Sequence, residues 1–395
     1  MAQLIETAPK QTTAVLVALI TPQSPSNTTQ EHLEELSLLT HTLGIKTLAT
    51  FVQHLEKPHA KTLLGKGKLA EIKEFVQKNQ VDQVIFDDEI APSQLRNLEN
   101  ILACNVLDRN LVILNIFAMR AKTKQAKTQV ALAQYEYLLP RLTRMWTHLS
   151  RQKGGNPGMR GPGEKELETD RRIVQDKIVL LRKKLQTIDR QNINQRKTRS
   201  NLVRIALVGY TNAGKSTLMQ TLSKSEVMVE DKLFATIGST VRRIMLQDIP
   251  CLLTDTVGFI RKLPHTLIEC FKSTLDEVRE ADILLHVIDV AHPACEEHIQ
   301  TVQETLQEID AADLPTILVF NKIDRLQAID QPTMQENMGH LASLQSRYMQ
   351  QYGQQAVFIA AKQNQGIATL QEVLYQQVLA KHQLIYPNYL NKATY

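Results

Sequence analysis

The chain has little aromatic content, 5% Phe, Trp and Tyr with a single Trp, and only four cysteines in 395 residues. Cys104, Cys251, Cys270 and Cys295 show no CxxC spacing, so they read as free thiols and not as a zinc site or a disulfide framework. No run approaches the twenty or so apolar residues that span a bilayer. The first residues, MAQLIETAPKQTTAVLVALI, contain Glu6 and lack a basic segment ahead of their apolar stretch, which argues against export and predicts a cytoplasmic protein with no membrane span. Excess charge of one sign is also scarce, at a formal net of +5. That average conceals a cluster: residues 141–200 hold sixteen Lys and Arg against six Asp and Glu, a local +10 that leaves about −5 for the rest. A concentrated basic stretch in a nearly balanced chain favours a polyanionic partner, of which nucleic acid is the commonest.

With 43% hydrophobic residues the chain can bury two or three cores. An α/β pattern opens it. AVLVALI (14–20), KTLATFVQHL (46–55), QVIFD (83–87) and NVLD (105–108) predict strands, with helical segments between them, giving a mostly parallel sheet in residues 1–120. Gly65-Lys66-Gly67-Lys68 resembles a phosphate-binding turn but lacks P-loop spacing, and a loop closing into a helix accounts for it more simply. From 121 to 200 the period changes. Ala131, Tyr135, Leu138, Leu142, Met145 and Leu149, then Val174, Ile178, Leu181, Leu185 and Ile188, recur at spacings of three and four and predict two helices packed as an antiparallel hairpin. Pro140 is expected to kink the first of them near Leu139. The break between them, Gly154 to Gly163, holds five of the chain's fifteen glycines and two prolines and is expected to form a non-helical tip. Arg141, Arg144, Arg151, Lys153 and Arg160 lie on or near it, with Trp146 and His148 available to stack on bases or to pack within the hairpin. Thr187 to Asn201 loses the seam and reads as a linker.

A second α/β domain is predicted over 201–380, followed by a short tail, 381–395. Its opening stretch, RIALVGYTNAGKSTL, is strand, loop, helix. Gly209, Tyr210, Thr211, Asn212, Ala213, Gly214, Lys215 and Ser216 satisfy the P-loop spacing, with Thr217 continuing into the helix. Backbone N–H groups there can turn toward phosphates, Lys215 can neutralise the β and γ oxygens, and Ser216 can offer its hydroxyl to Mg²⁺. Asp255, Thr256, Val257 and Gly258 close another apolar run, placing a carboxylate for the same cation and an N–H for a γ-phosphate. Asn321, Lys322 and Asp324 close a third, where a carboxylate can accept both N–H groups on guanine's edge. Three such motifs in order at successive strand ends predict a GTP hydrolase. Two rivals remain from the residues alone: an ATP-using RNA remodeller, and a GTP-dependent RNA-binding scaffold with little turnover.

GYTNAGKSTL, FATIGSTVRRI, DTVGFI and NKID, with QYEYLLPRLTRMWTHLSRQ and RGPGEKELETDRR upstream, resemble the HflX family of ribosome-associated GTPases over nearly the whole chain. The resemblance implies an N-terminal α/β domain, a helical hairpin and a GTPase domain with Mg²⁺ and GTP. It also implies that the hairpin tip, within 141–172, meets the RNA of the large (50S) ribosomal subunit, that GTP drives splitting or rescue of ribosomes, and that the protein is monomeric off the ribosome. Where family members carry Asp-Pro-Thr-Thr-Arg, this chain has Gly238-Ser239-Thr240-Val241-Arg242, leaving Thr240 as the switch residue for Mg²⁺ and γ-phosphate, with Thr236 in reserve. The guanine-supporting Ser-Ala loop is here Ala360, Ala361 and Lys362, with the Ala361 N–H expected to serve the base oxygen.

Overall fold

The computed structural model describes residues 11–22, 26–145, 162–197, 202–223, 240–261, 275–329, 344, 346–350 and 355–387. The chain divides into two compact units, Met1–Met119 with Val130–Arg182, and Arg120–Gln129 with Lys183–Tyr395. The body of the hairpin thus belongs with the N-terminal sheet. Among the described residues no helix is long and apolar enough to cross a membrane.

In the first unit β1 (Thr13–Ile20), β2 (Lys46–His54), β3 (Gln83–Phe86) and β4 (Asn105–Asp108) form a parallel sheet in the order β2-β1-β3-β4. Its helices are α1 (Ser26–Thr42), α2 (Lys66–Asn79), α3 (Pro92–Leu102) and α4 (Arg109–Arg120). Val15, Val17, Ile72, Val84, Phe86 and Leu98 form its core. The central strands β1 and β3 are short apolar runs buried on both faces, which is why they are legible without alternation, whereas β2 at the edge alternates between exposed and half-buried positions. Gly65 caps α2 in an extended conformation and gives its N–H to Gln53 Oε1. That accounts for the Gly-Lys repeat as a loop entering a helix.

The hairpin helices are α5 (Lys124–Met145) and α6 (Pro162–Lys197). Lys177 Nζ reaches Tyr135 Oη at 3.1 Å and Arg182 Nη2 reaches Glu136 Oε1 at 2.7 Å, tying the two side by side. Pro140 lies inside α5 and does not end it. The second seam stands: Ile178 is buried and Val174, Leu181, Leu185 and Ile188 are half-buried between exposed neighbours. The first is displaced, with Val130, Leu132 and Ala133 buried and Leu138 exposed.

Several expectations need correction. The supposed linker is helical through Lys197, since its Arg, Gln and Lys residues are good helix formers without needing a buried face. Pro162 and Gly163, assigned to the tip, open α6, where proline's missing N–H costs nothing. The remainder of the tip, including Trp146, His148, Arg151, Lys153 and Arg160, lies outside the described residues.

Arg141, expected to face RNA, is 7% exposed. Its Nη2 donates to Asp108 Oδ2 and to Ile90 O, both at 3.1 Å, and its guanidinium lies 3.4 Å from the Tyr137 ring centroid. Burial, with Asp108 adding to it, pushes the Tyr137 hydroxyl far above its ordinary range. Arg141 therefore fastens α5 to the end of β4. Arg141→Met should lower stability by about 2–3 kcal/mol, because it strands the buried Asp108 carboxylate. Denaturant titration checks this; unchanged stability with weakened RNA binding would return Arg141 to the surface role.

In the second unit β5 (Val203–Val208), β6 (Thr240–Leu246), β7 (Ile249–Asp255), β8 (Ile283–Asp289), β9 (Thr316–Asn321) and β10 (Ala356–Phe358) form one sheet, ordered β10-β9-β8-β5-β7-β6. All pairs are parallel except β6 with β7. β6 escaped the sequence reading because it is an edge strand with three charged or exposed positions among its first four. Helices α7 (Lys215–Ser223), α8 (Cys295–Glu308), α9 (Ile323–Ile329) and α10 (Ile367–Ile385) complete the unit. α10 runs five residues into the expected tail, because the i, i+4 series Leu370, Leu374, Val378 continues to His382, which is buried.

Candidate nucleotide-binding site

The site lies where β5, β7, β8 and β9 end, on the carboxyl edge of the sheet, at the point where the chain, having placed β6 and β7 on one side of β5, crosses to β8 on the other. The P-loop leaves β5 through Gly209, at φ +150°; a Cβ there would stand 2.2 Å from the Val287 carbonyl oxygen of β8. Gly214, at φ +97°, is equally constrained, since its Cβ would meet Asn321 Nδ2 at 2.3 Å. Gly209 is required by close backbone packing and Gly214 by the Asn321 amide against it, and both lie in a region side chains avoid.

Lys215 opens α7 and is buried. Its Nζ donates to Gly209 O at 2.9 Å and Tyr210 O at 2.8 Å, so the ammonium closes the loop on itself. Burial pushes its pKa down to about 8, against the pull of Asp255 and helped by Lys322. Ser216 Oγ donates to Asp255 Oδ2 at 2.8 Å. Asp255 ends β7 and is buried, and the cross-strand register puts Thr240 of β6 directly opposite it. Residues so paired share one face of the sheet. Thr256 gives its hydroxyl to Leu207 O at 2.6 Å, which fixes this segment against β5. Gly258 lies so close to the P-loop that a Cβ would be 2.9 Å from Thr211 Cα and 3.0 Å from Lys215 Nζ.

The arrangement fits Mg²⁺. The serine hydroxyl and the aspartate carboxylate are hard oxygen donors within hydrogen-bond reach of each other, and Thr240 can add a third. Among the described residues no group of three or more His, Cys, Asp or Glu side chains could hold a metal. Few carboxylates suit a cation that keeps its waters and takes substrate phosphates as ligands.

The guanine motif is bound to the P-loop by side chains. Asn321 Nδ2 donates to Ala213 O at 2.9 Å, and Lys322 Nζ donates to Asn212 O at 2.7 Å. Both Asn212 and Lys322 sit at positive φ, +61° and +65°, conformations held by these bonds. Asp324 lies in the first turn of α9, with Gln363 Nε2 3.5 Å from its Oδ2. Ala360, Ala361 and Lys362 follow β10 and enter a 3₁₀ turn, Ala361–Gln363. The Ala361 N–H, expected to serve the base, lies beside the same motif and donates to Asn321 Oδ1 at 3.0 Å.

Three features escaped the sequence reading. Asp289 ends β8 and binds Lys322 Nζ at 2.6 Å. His286, inside the apolar run LLHVID, is fully enclosed; burial and the Lys215 charge push its pKa down to about 3, so it is a neutral imidazole. Tyr210 stacks on His298 of α8 at 3.6 Å between ring centroids and takes the Arg261 N–H on its hydroxyl. Only Asp289 had a signal, its place at a strand's carboxyl end.

The chain matches the family models described as "GTP-binding GTPase N-terminal" over 30–118, "GTP-binding GTPase Middle Region" over 120–199 and "50S ribosome-binding GTPase" over 204–322. The GTPase HflX of Flavobacterium psychrophilum is 48% identical over 389 residues, 95% of this chain and 94% of that one. The GTPase HflX of Escherichia coli is 46% identical over 317 residues, 80% and 74% of the two chains. The crystal structure of SsGBP in complex with GDP shares the fold, with a TM-score of 0.50 at 24% identity over 94% of this chain and 99% of that one. A P-loop bolted to a guanine motif, on a sequence 46–48% identical to these two HflX proteins over 80–95% of its length, places the chain in the HflX family of GTPases.

Proposed function

We propose that this GTPase works in the cytoplasm on the large ribosomal subunit, binding its RNA through the hairpin tip and coupling Mg²⁺-dependent GTP hydrolysis to splitting or rescue of ribosomes. The observation that carries the nucleotide half is the double clamp from Asn321 and Lys322 onto the P-loop, which makes guanine recognition and phosphate binding one rigid body. For the ribosomal half, the support is the local excess of ten positive charges in 141–200 and the 50S-binding description of the family model that covers 204–322.

Lys215 and the P-loop amides hold the phosphates, Ser216, Asp255 and Thr240 would hold Mg²⁺, and the Gly258 N–H meets the γ-phosphate. Bound Mg²⁺ would neutralise charge developing on the phosphoryl oxygens. The position after Gly258 does not bring a group to orient water. The residue after Gly258 is Phe259, which is buried, with its N–H given to Gly209 O at 3.0 Å and its carbonyl taking the Thr211 N–H at 2.7 Å. Its ring offers no donor or acceptor.

The protein alone should therefore hydrolyse GTP slowly, and large subunits should raise kcat at least tenfold, about 1.4 kcal/mol in the barrier. Turnover with and without subunits tests this; fast, unstimulated hydrolysis would show that another group already positions the water. Replacing Gly154 to Gly163 with a short neutral linker should leave GTP binding intact and weaken cosedimentation with large subunits in a non-hydrolysable GTP analogue. Full cosedimentation and splitting by that variant would move the ribosome contact elsewhere.

A further inference from the structure

Asp289 stands where nothing in the P-loop or the guanine motif calls for a carboxylate. It is the last residue of β8, in register with Asn321 on β9, and it is largely buried. Both carboxylate oxygens are engaged. Oδ1 accepts the Ala291 N–H at 3.2 Å, closing the turn after the strand, and Oδ2 accepts Lys322 Nζ at 2.6 Å. The same ammonium donates to Asn212 O at 2.7 Å. Lys322 is thus held between a fixed anion on β8 and a backbone carbonyl of the P-loop, while its own backbone is at positive φ.

We infer that Asp289 is a positioning residue for nucleotide retention: its carboxylate fixes the Lys322 ammonium so that the lysine bridges the guanine motif to the phosphate loop. The inference rests on the guanine-nucleotide reading and adds to it a residue that does not touch the nucleotide. A lysine has a flexible stem and three rotatable donors, so a lone carbonyl partner defines its place poorly. A charged partner at 2.6 Å, at the end of a strand paired on both sides, supplies a strong second anchor. Without it, Lys322 has solvent as an alternative partner and Asn212 loses its tie. The P-loop and guanine motif would then hold together through Asn321 alone, and the nucleotide would leave faster. Base choice, which lies with Asp324, would not change.

The test uses the full chain and a fluorescent GDP. Asp289→Asn keeps an oxygen for the Ala291 N–H and removes the charge facing Lys322. Lys322→Met keeps the stem and removes the ammonium. Each single variant should release GDP five- to tenfold faster than the wild type, and Asp289→Asn should do so with guanine-over-xanthine preference unchanged and kcat at saturating GTP within about twofold. The double variant should release GDP no faster than the faster of the two singles, since both changes break one bridge. Wild-type release from Asp289→Asn, or losses that multiply in the double variant, would overturn the assignment. Unfolding of Asp289→Asn while Lys322→Met stays folded would overturn it too, because the carboxylate would then hold the fold and not the lysine. Failure of the wild type itself to bind guanine nucleotide is a separate result, which would remove the functional reading beneath it.

Discussion

Asp324→Asn should lose GTP by at least about a hundredfold and take xanthosine triphosphate in its place. In the proposed function the carboxylate at the start of α9 would accept the two N–H groups of guanine's edge, and each such charge-assisted bond is worth about 1.5–3 kcal/mol. The amide keeps one acceptor and sets a donor against a donor, so it forfeits one bond and leaves the other group unpaired; about 3 kcal/mol follows, roughly a factor of 150. Xanthine carries a carbonyl where guanine carries its amino group, which restores the match. Competition of the two triphosphates against a fluorescent GDP measures the change. The variant should fold normally, since the partner of Asp324 is Gln363 at 3.5 Å on an exposed surface. Undiminished GTP affinity, or displacement of GTP by ATP from the wild type, would sink the guanine assignment.

That such a prediction could be framed from sequence reflects what a P-loop domain writes into its chain. The phosphate loop needs Gly209 and Gly214 for backbone reasons that no other residue satisfies, and the motifs sit at strand ends that are continuous apolar runs. Both are local signals. What stayed illegible depends on partners distant in sequence. Arg141 reads as one more charge in a basic stretch, and only the fold sets Asp108 and Ile90 beside it. Ala361 has a backbone N–H like any other, and its capture by Asn321 is set by how β9 and β10 pair. His286 looks apolar by its neighbours, and its neutral state comes first from burial and then from Lys215 on another element. β6 was lost for a third reason: an edge strand needs only one buried face, and Val241, Arg242 and Arg243 give no period to see.

Lys215→Ala should lower kcat/KM for GTP by a factor of about 10²–10³, the size expected when one preorganised donor is removed from a phosphoryl or oxyanion site. The lysine is buried with its ammonium on Gly209 O and Tyr210 O, so its position is set before nucleotide arrives. Its depressed pKa shows the strain of holding a cation there. In the nucleotide-free protein Lys215 titrates near 8, against 10.5 for an ordinary lysine, so between those values the unfolded chain binds more protons than the folded one. Stability therefore rises with pH across that window and is independent of pH on this group's account below it, where the buried cation costs the fold most. Phosphates reverse the balance by favouring the ammonium. GTP affinity should be flat below about pH 8 and fall above it, and binding at pH 8.5 should take up a fraction of a proton, visible as a buffer-dependent binding enthalpy. In Lys215→Ala that uptake should vanish along with turnover, while the fold persists, because the substitution removes a poorly solvated charge. A variant that keeps turnover within tenfold of wild type, or keeps the proton uptake, would mean that a different cation meets the phosphates and that Lys215 only braces the loop.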